Sequence, residues 1–147
     1  MPTSRVLQGI GASSGVAQGR VFLVDRRKRR FPKRHVDESA VEAELARIDE
    51  AVDLATRSLE QLREKVVDAG YEEHSAMLDA HLLMLRDPML LERARRAVKD
   101  EKKCAEWAVR GTIREIKDAF DALGDHYFRE RRSDIDFVGE RLLAAMH

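Results

Sequence analysis

The feature that most constrains this chain is an apolar seam between Val41 and Val66. Val41, Leu45, Ile48, Val52, Ala55, Leu59, Leu62 and Val66 recur at spacings of 4, 3, 4, 3, 4, 3 and 4. That alternation places them all on one face of a continuous helix. Asp37 is positioned to cap its start, with Glu38 in the first turn, and Gly70 ends it. At 1.5 Å per residue such a helix is roughly 45–50 Å long. In a chain of 147 residues it must lie antiparallel to later helices in a bundle or extended hairpin.

The later segments supply those helices. One begins near Tyr71 and breaks at Asp87-Pro88, where Asp87 can cap a new helix and Pro88 suits its first position. That next segment runs to about Asp100, with Leu90 or Leu91, Ala94 and Val98 inward. A third major helix spans about Ala105–Leu123, carrying Val109, Ile113, Ile116, Phe120 and Leu123 on one face, and Gly124 stops it. A last helix starts near Asp125 and carries Phe128, Ile135, Val138 and Leu142. The expected fold is all-α from residue 37 on, an antiparallel helical bundle of two hairpins.

Residues 5–24 differ. Gly9, Gly11, Gly15 and Gly19 fall here, half of the chain's 8 glycines. Val21–Val24 reads as a strand and Val6–Ile10 as a weaker one, with a turn in "GASSG". Two strands alone are marginal in water, and no later segment supplies a sheet. They are expected to fray, fold onto the bundle or pair between two chains, giving a homodimer by strand exchange. A basic run follows, Arg26–Arg30 with Lys33 and Arg34, read as a solvated linker. Residues 1–34 and 35–147 are therefore separate units.

Lys plus Arg and Asp plus Glu both number 27, a formal net charge of zero. Bulk charge thus selects neither nucleic acid nor membrane as partner. A nucleic-acid reading of residues 26–34 would require steep salt dependence, and the rest of the surface is charge-balanced. The single Cys104 excludes an intrachain disulfide framework and suits a reducing cytoplasm. No apolar run approaches the ~20 residues of a bilayer span, and the N-terminus lacks a long apolar signal core. The five histidines, His35, His74, His81, His126 and His147, form no HExxH pair. One Cys does not make a structural zinc site. There is no Walker A loop and no nucleophile elbow. No catalytic or metal-binding set emerges from the residues.

The stretch "AMLDAHLLMLRDPMLL", residues 76–91, is too apolar for one buried face. Leu78, Leu82 and Leu85 form one stripe, while Met77, His81 and Met84 form another at the same spacing. Methionines on an exposed face suit an adaptable protein interface. Glu72, Glu73 and Asp87 flank it and favour a basic partner. The rival reading is a scaffold that merely self-associates through its heptad seam, which would not need His81 and two methionines outside that seam.

These residues resemble the N-terminal region of Enzyme I of the bacterial phosphoenolpyruvate-dependent phosphotransferase system, the phosphoenolpyruvate-protein phosphotransferases. "GIGASSGVAQGRVFLV" looks like the family's opening strand–turn–strand. "LDAHLLMLRDPML" looks like its helix pair. "AEWAV" and "YFRERRSDIDFVGERLL" are similar to its third-helix start and its Tyr-x-x-Glu-Arg signature. The resemblance implies a transferase that moves phosphoryl from phosphoenolpyruvate, with magnesium, to a histidine and then to the small carrier HPr, feeding sugar transport or a nitrogen-regulatory branch. It implies that the first strands belong to a missing α/β subdomain and that the helices dock HPr. The family's Gly-Gly-x-x-Ser-His phosphohistidine motif does not occur in this sequence. The expectation is therefore an inactive fragment with no cofactor of its own. By position, Glu72, Glu73, His81, Leu83, Met84, Asp87, Leu90 and Arg131 are implied docking residues, with Met77 completing the stripe. The departures are Arg86, Pro88 and Met89, where the family is often acidic; they imply weaker steering or a less basic carrier.

Overall fold

The computed structural model describes residues 5–20 and 30–147. A short 3-10 turn, Glu38–Ala40, leads into α1, Val41–Asp68. Asp37 precedes that turn in extended backbone but accepts no capping bond, so it supports the start only through its charge. Gly70, at φ +83°, lets the chain reverse. Helix α2, Glu72–Leu85, and α3, Pro88–Glu101, follow. The break between them is as the sequence indicates: Asp87 accepts from the Met89 N–H at 2.7 Å and Pro88 takes the first turn. Lys102 ends α3 in the left-handed region, φ 53°, a conformation that disfavours a side chain by about 1 kcal/mol. Helices α4, Ala105–Leu123, and α5, His126–Ala145, complete the chain, separated by Gly124 at φ +65° and capped by Asp125.

Cross-helix ion pairs give the directions. Arg63 Nε lies 2.5 Å from Asp79 Oδ1, and Arg95 Nη2 lies 2.5 Å from Asp49 Oδ1. Helices α2 and α3 therefore form one interrupted arm antiparallel to α1. Lys117 pairs with Asp136 at 2.5 Å and Arg132 with Asp121 at 3.0 Å, closing the antiparallel α4–α5 hairpin. Arg47 on α1 pairs with Glu106 on α4, so the beginnings of those two helices lie at one end. The result is the expected bundle of two hairpins, running up, down, up and down.

The seam of α1 forms the centre. Val41, Leu45, Ile48, Val52, Ala55 and Leu59 are buried, joined by Leu78, Leu85, Leu90, Ala94, Val98, Val109, Ile113, Ile116, Ile135, Val138 and Leu142. Each large side chain so buried contributes about 1.5–3 kcal/mol. Leu62 and Val66 are only partly buried, and at the same end of the bundle Leu123 is exposed. Gly139 lets α4 and α5 approach closely, because a Cβ there would sit 2.8 Å from Ile113 Cγ1.

One expectation changes. Val6–Ile10 is not a strand: the segment has no ladder among the described residues, and Val6, Leu7 and Ile10 are 84–99% exposed. An extended segment without a partner strand has no backbone bonds to hold it. A bend at residues 12–15 stands where the turn is expected. The expected strand at residues 21–24 and the basic residues 26–29 lie outside the described residues. The bundle's packing also reaches upstream of residue 35. Phe31 is partly buried with its ring 5.7 Å from that of His147, and Val36 is buried. Val36 N–H donates to Lys102 O at 2.8 Å, and Cys104 N–H to Arg34 O at 3.0 Å. Among the described residues, no helix is long and apolar enough to cross a membrane.

Candidate functional site

Helix α2 is apolar on nearly every side, and the structure shows why. It lies in the groove between α1 and α5 and buries a wide arc. Leu78 and Leu85 are buried on one side of that arc. His81 is buried on the other, only 3% exposed, with Nε2 3.0 Å from Asp134 Oδ1 on α5. Its ring centroid is 4.6 Å from that of Phe137, also on α5. The second stripe is therefore turned inward at His81 and partly at Met84, while Met77 stays exposed. This corrects the expectation of His81 as a surface contact: a buried imidazole cannot meet a partner directly. Met84, on the same arc, is partly buried against the core. Leu90 is corrected likewise, being 3% exposed within the core as the first inward residue of α3.

The outward face of α2 lies elsewhere. With successive residues about 100° apart, Glu72, Glu73, Ala76 and Leu83 fall on the side opposite Leu78 and Leu85, and Met77 lies at the edge of that side next to His81. All five are exposed, Leu83 to 76% and Met77 to 54%. Past the helix break, Met89 is 59% exposed. Glu72 and Glu73 occupy the first turn, where their charge complements the helix dipole. Asp87 is exposed, but one carboxylate oxygen is committed to the α3 cap. Arg131 is partly buried on α5, its guanidinium 5.0 Å from the centroid of the exposed Tyr127 ring. The structure thus presents Glu72, Glu73, Met77, Leu83 and Asp87, half-presents Met84 and Arg131, and withdraws His81 and Leu90.

Several residues escape the sequence reading. Asp134, Phe137 and Arg141 form a stripe on α5 beside the core stripe Ile135, Val138 and Leu142. Their spacing of 3 and 4 is a visible signal. Arg141 carries the stack onward, its guanidinium 4.9 Å from the Phe137 centroid and its Nη1 donating to Ser58 Oγ on α1 at 3.0 Å. At the α4–α5 turn, Tyr127 joins Phe120 and Phe128, which the helix faces do indicate; the Phe120 and Tyr127 ring centroids each lie 5.4 Å from that of Phe128, beside exposed Leu123. At the other end, buried Glu44 accepts from the Ala105 N–H at 2.7 Å and pairs with Arg34 and Arg47. Nothing in the local sequence marks Glu44 as the cap of α4. Among the described residues no three His, Cys, Asp or Glu side chains converge to hold a metal ion. Cys104 is fully buried, with its sulfur 3.4 Å from Pro32 O.

The chemistry available on α2 is recognition. An apolar, Ala- and Met-bearing face with acidic residues at one end can be covered by a partner, and no nucleophile–base pair accompanies it. Comparison with known proteins gives the family. Residues 8–131 match the family described as PEP-utilising enzyme, N-terminal. The phosphoenolpyruvate-protein phosphotransferase of Enterococcus faecalis is 33% identical over 96% of this chain, that of Geobacillus stearothermophilus 34% over 95%, and that of Cupriavidus necator 34% over 95%. The match spans 24% of the length of each of these relatives. The solution structure of an Enzyme I protein superposes with a TM-score of 0.76 at 28% identity, covering 82% of this chain and 48% of that one. An N-terminal domain of the nitrogen Enzyme I superposes at 0.69 with 26% identity, covering 79% and 48%. The helical bundle, the ordered motifs and these relatives together place the chain in the PEP-utilising enzyme, N-terminal family, with its likeness to the N-terminal parts of Enzyme I and of the phosphoenolpyruvate-protein phosphotransferases.

Proposed function

We propose that this domain docks an HPr-type phosphocarrier for a phosphoenolpyruvate-protein phosphotransferase in the cytoplasm. The observation that carries this reading is the outward face of α2, where Met77 and Leu83 are exposed with Ala76 between them and Glu72 and Glu73 at one end. Apolar side chains held out on a rigid helix lose water when a small partner covers them. The flanking glutamates steer a basic patch toward them. Arg131 and Asp87 lie at the rim. The transfer chemistry, from phosphoenolpyruvate through a histidine to the carrier, is assigned to residues outside this sequence, as is any magnesium.

The test is calorimetric titration of the organism's HPr-type carriers into the 147-residue chain and into a Met77→Asp, Leu83→Asp variant. The parent is expected to bind one carrier, and the variant to lose at least about tenfold in affinity with helicity unchanged. A folded parent that binds none of the carriers refutes the docking reading.

A further inference from the structure

Only Leu78, His81 and Leu85 of α2 are buried, so one of its three anchors is polar. Past its polar first turn, and apart from Asp79, the rest of the helix is Ala76, Met77, Ala80, Leu82, Leu83 and Met84. Apolar burial is non-directional. A turn of α2 about its own axis by one residue, about 100°, would bring Met77, Ala80 and Met84 to the buried side, giving up only the half-exposed Arg63–Asp79 pair, which is worth little. Leucines alone therefore do not settle which side faces outward.

The polar anchor can settle it. His81 Nε2 meets Asp134 Oδ1 at 3.0 Å, and the ring lies on Phe137 at 4.6 Å with the planes at 32°. The far end of the stack is fixed in turn, because Arg141 covers Phe137 and donates to Ser58. Nδ1 is buried without a partner, so the imidazole's one hydrogen bond in this environment is the one to Asp134. A buried polar group with a single partner penalises the rotations that keep it away from water, since those leave it unpaired. A single buried Asn selects register among otherwise equivalent packings of a coiled coil in the same way.

We infer that His81 is a positioning residue: its bond to Asp134 sets the rotation of α2 and so decides that Ala76, Met77 and Leu83 face outward. The consequence for a carrier rests on the docking reading above; the positioning itself does not.

The test uses single-cysteine reporters in the 147-residue chain, Leu83→Cys and Met84→Cys, with maleimide labelling rates measured separately; native Cys104 is fully buried and silent. In the parent, Leu83→Cys labels faster than Met84→Cys, as their exposures require. In His81→Leu, which keeps the site apolar and is expected to hold or raise the melting temperature, the rate ratio falls about fivefold or more toward one. His81→Gln, which carries a donor at the same ε position, restores it. Asp134→Ala, at a partly exposed site, reproduces the His81→Leu result and is the second variant should the first not fold. A ratio unchanged in folded His81→Leu or Asp134→Ala overturns the inference. Carrier calorimetry on the same variants separates the two readings. A shifted ratio in a chain whose parent binds no carrier leaves the positioning standing and removes the docking. An unshifted ratio in a chain that binds carrier does the reverse.

Discussion

Glu44 is the residue whose replacement tests most directly how the bundle is held at its base. It belongs to the first turn of α1, yet its carboxylate serves α4. Oε2 accepts from Ala105 N–H at 2.7 Å and from Arg47 Nη1 at 2.9 Å, and Oε1 accepts from Arg34 Nη2 at 3.0 Å. Cys104, at the N-cap of α4, makes no side-chain cap bond, so Glu44 does its work from another helix. Glu44→Ala leaves the fully buried Ala105 N–H without an acceptor, a loss of about 1–2 kcal/mol. Removing the one methylene beyond the β carbon costs roughly 0.8 kcal/mol. The arginines soften the loss: Arg47 keeps Glu106, and Arg34 is 55% exposed and rehydrates. The total is about 2 kcal/mol, or roughly 8 °C in Tm for a chain this size. Glu44→Gln keeps a carbonyl oxygen for Ala105 and loses only the charge, so about 1 kcal/mol is expected. Urea and thermal unfolding followed by circular dichroism read both. A Glu44→Ala chain within about 0.5 kcal/mol of the parent, or a Gln variant as unstable as the Ala variant, would refute the reasoning.

Two further predictions follow from the packing. Burial pushes the Glu106 carboxyl up, but the Arg47 hydrogen bond and charge outweigh it and hold the group below its ordinary 4.5. A depressed folded value means stability that is present above the unfolded value and is lost as the pH falls through the folded one. Glu106→Gln is therefore expected to flatten the loss of urea midpoint below about pH 4.5, and acid limbs of equal slope in parent and variant would contradict this. Gly139→Ala should destabilise by about 1 kcal/mol, because crowding of buried Ile113 at 2.8 Å outweighs the gain in helix propensity. Gly111→Ala, with nothing within 4 Å of the added carbon, should instead stabilise by up to about 1 kcal/mol, and thermal melts in which both variants rise equally would show that the close approach is not limiting.

Much of this fold was legible before any coordinates. The 4-and-3 spacing of the α1 seam, Pro88 after Asp87, and Gly70 and Gly124 at the turns are local signals, and the helix ends fall within a few residues of where they indicate. Val6–Ile10 was not legible in the same way, since a strand exists only through its partners. The residues expected to dock a carrier divide along the same line. Met77 and Leu83 are exposed and His81 is buried, while Leu90, read both as inward on α3 and as a contact, lies in the core. Spacing along a helix shows which residues share a face, but not what that face meets.

The sequence by itself therefore determined the helices, their breaks, the seam on which they assemble and, through its ordered motifs, the family. Those are properties of neighbours within a turn or two, encoded in period and in cap chemistry. Only the tertiary structure decided the rotation of α2, the burial of His81 against Asp134 and Phe137, and the capping of α4 by a glutamate 61 positions earlier in the chain. A helix as evenly apolar as α2 carries no directional preference of its own, and the groove between α1 and α5 supplies it.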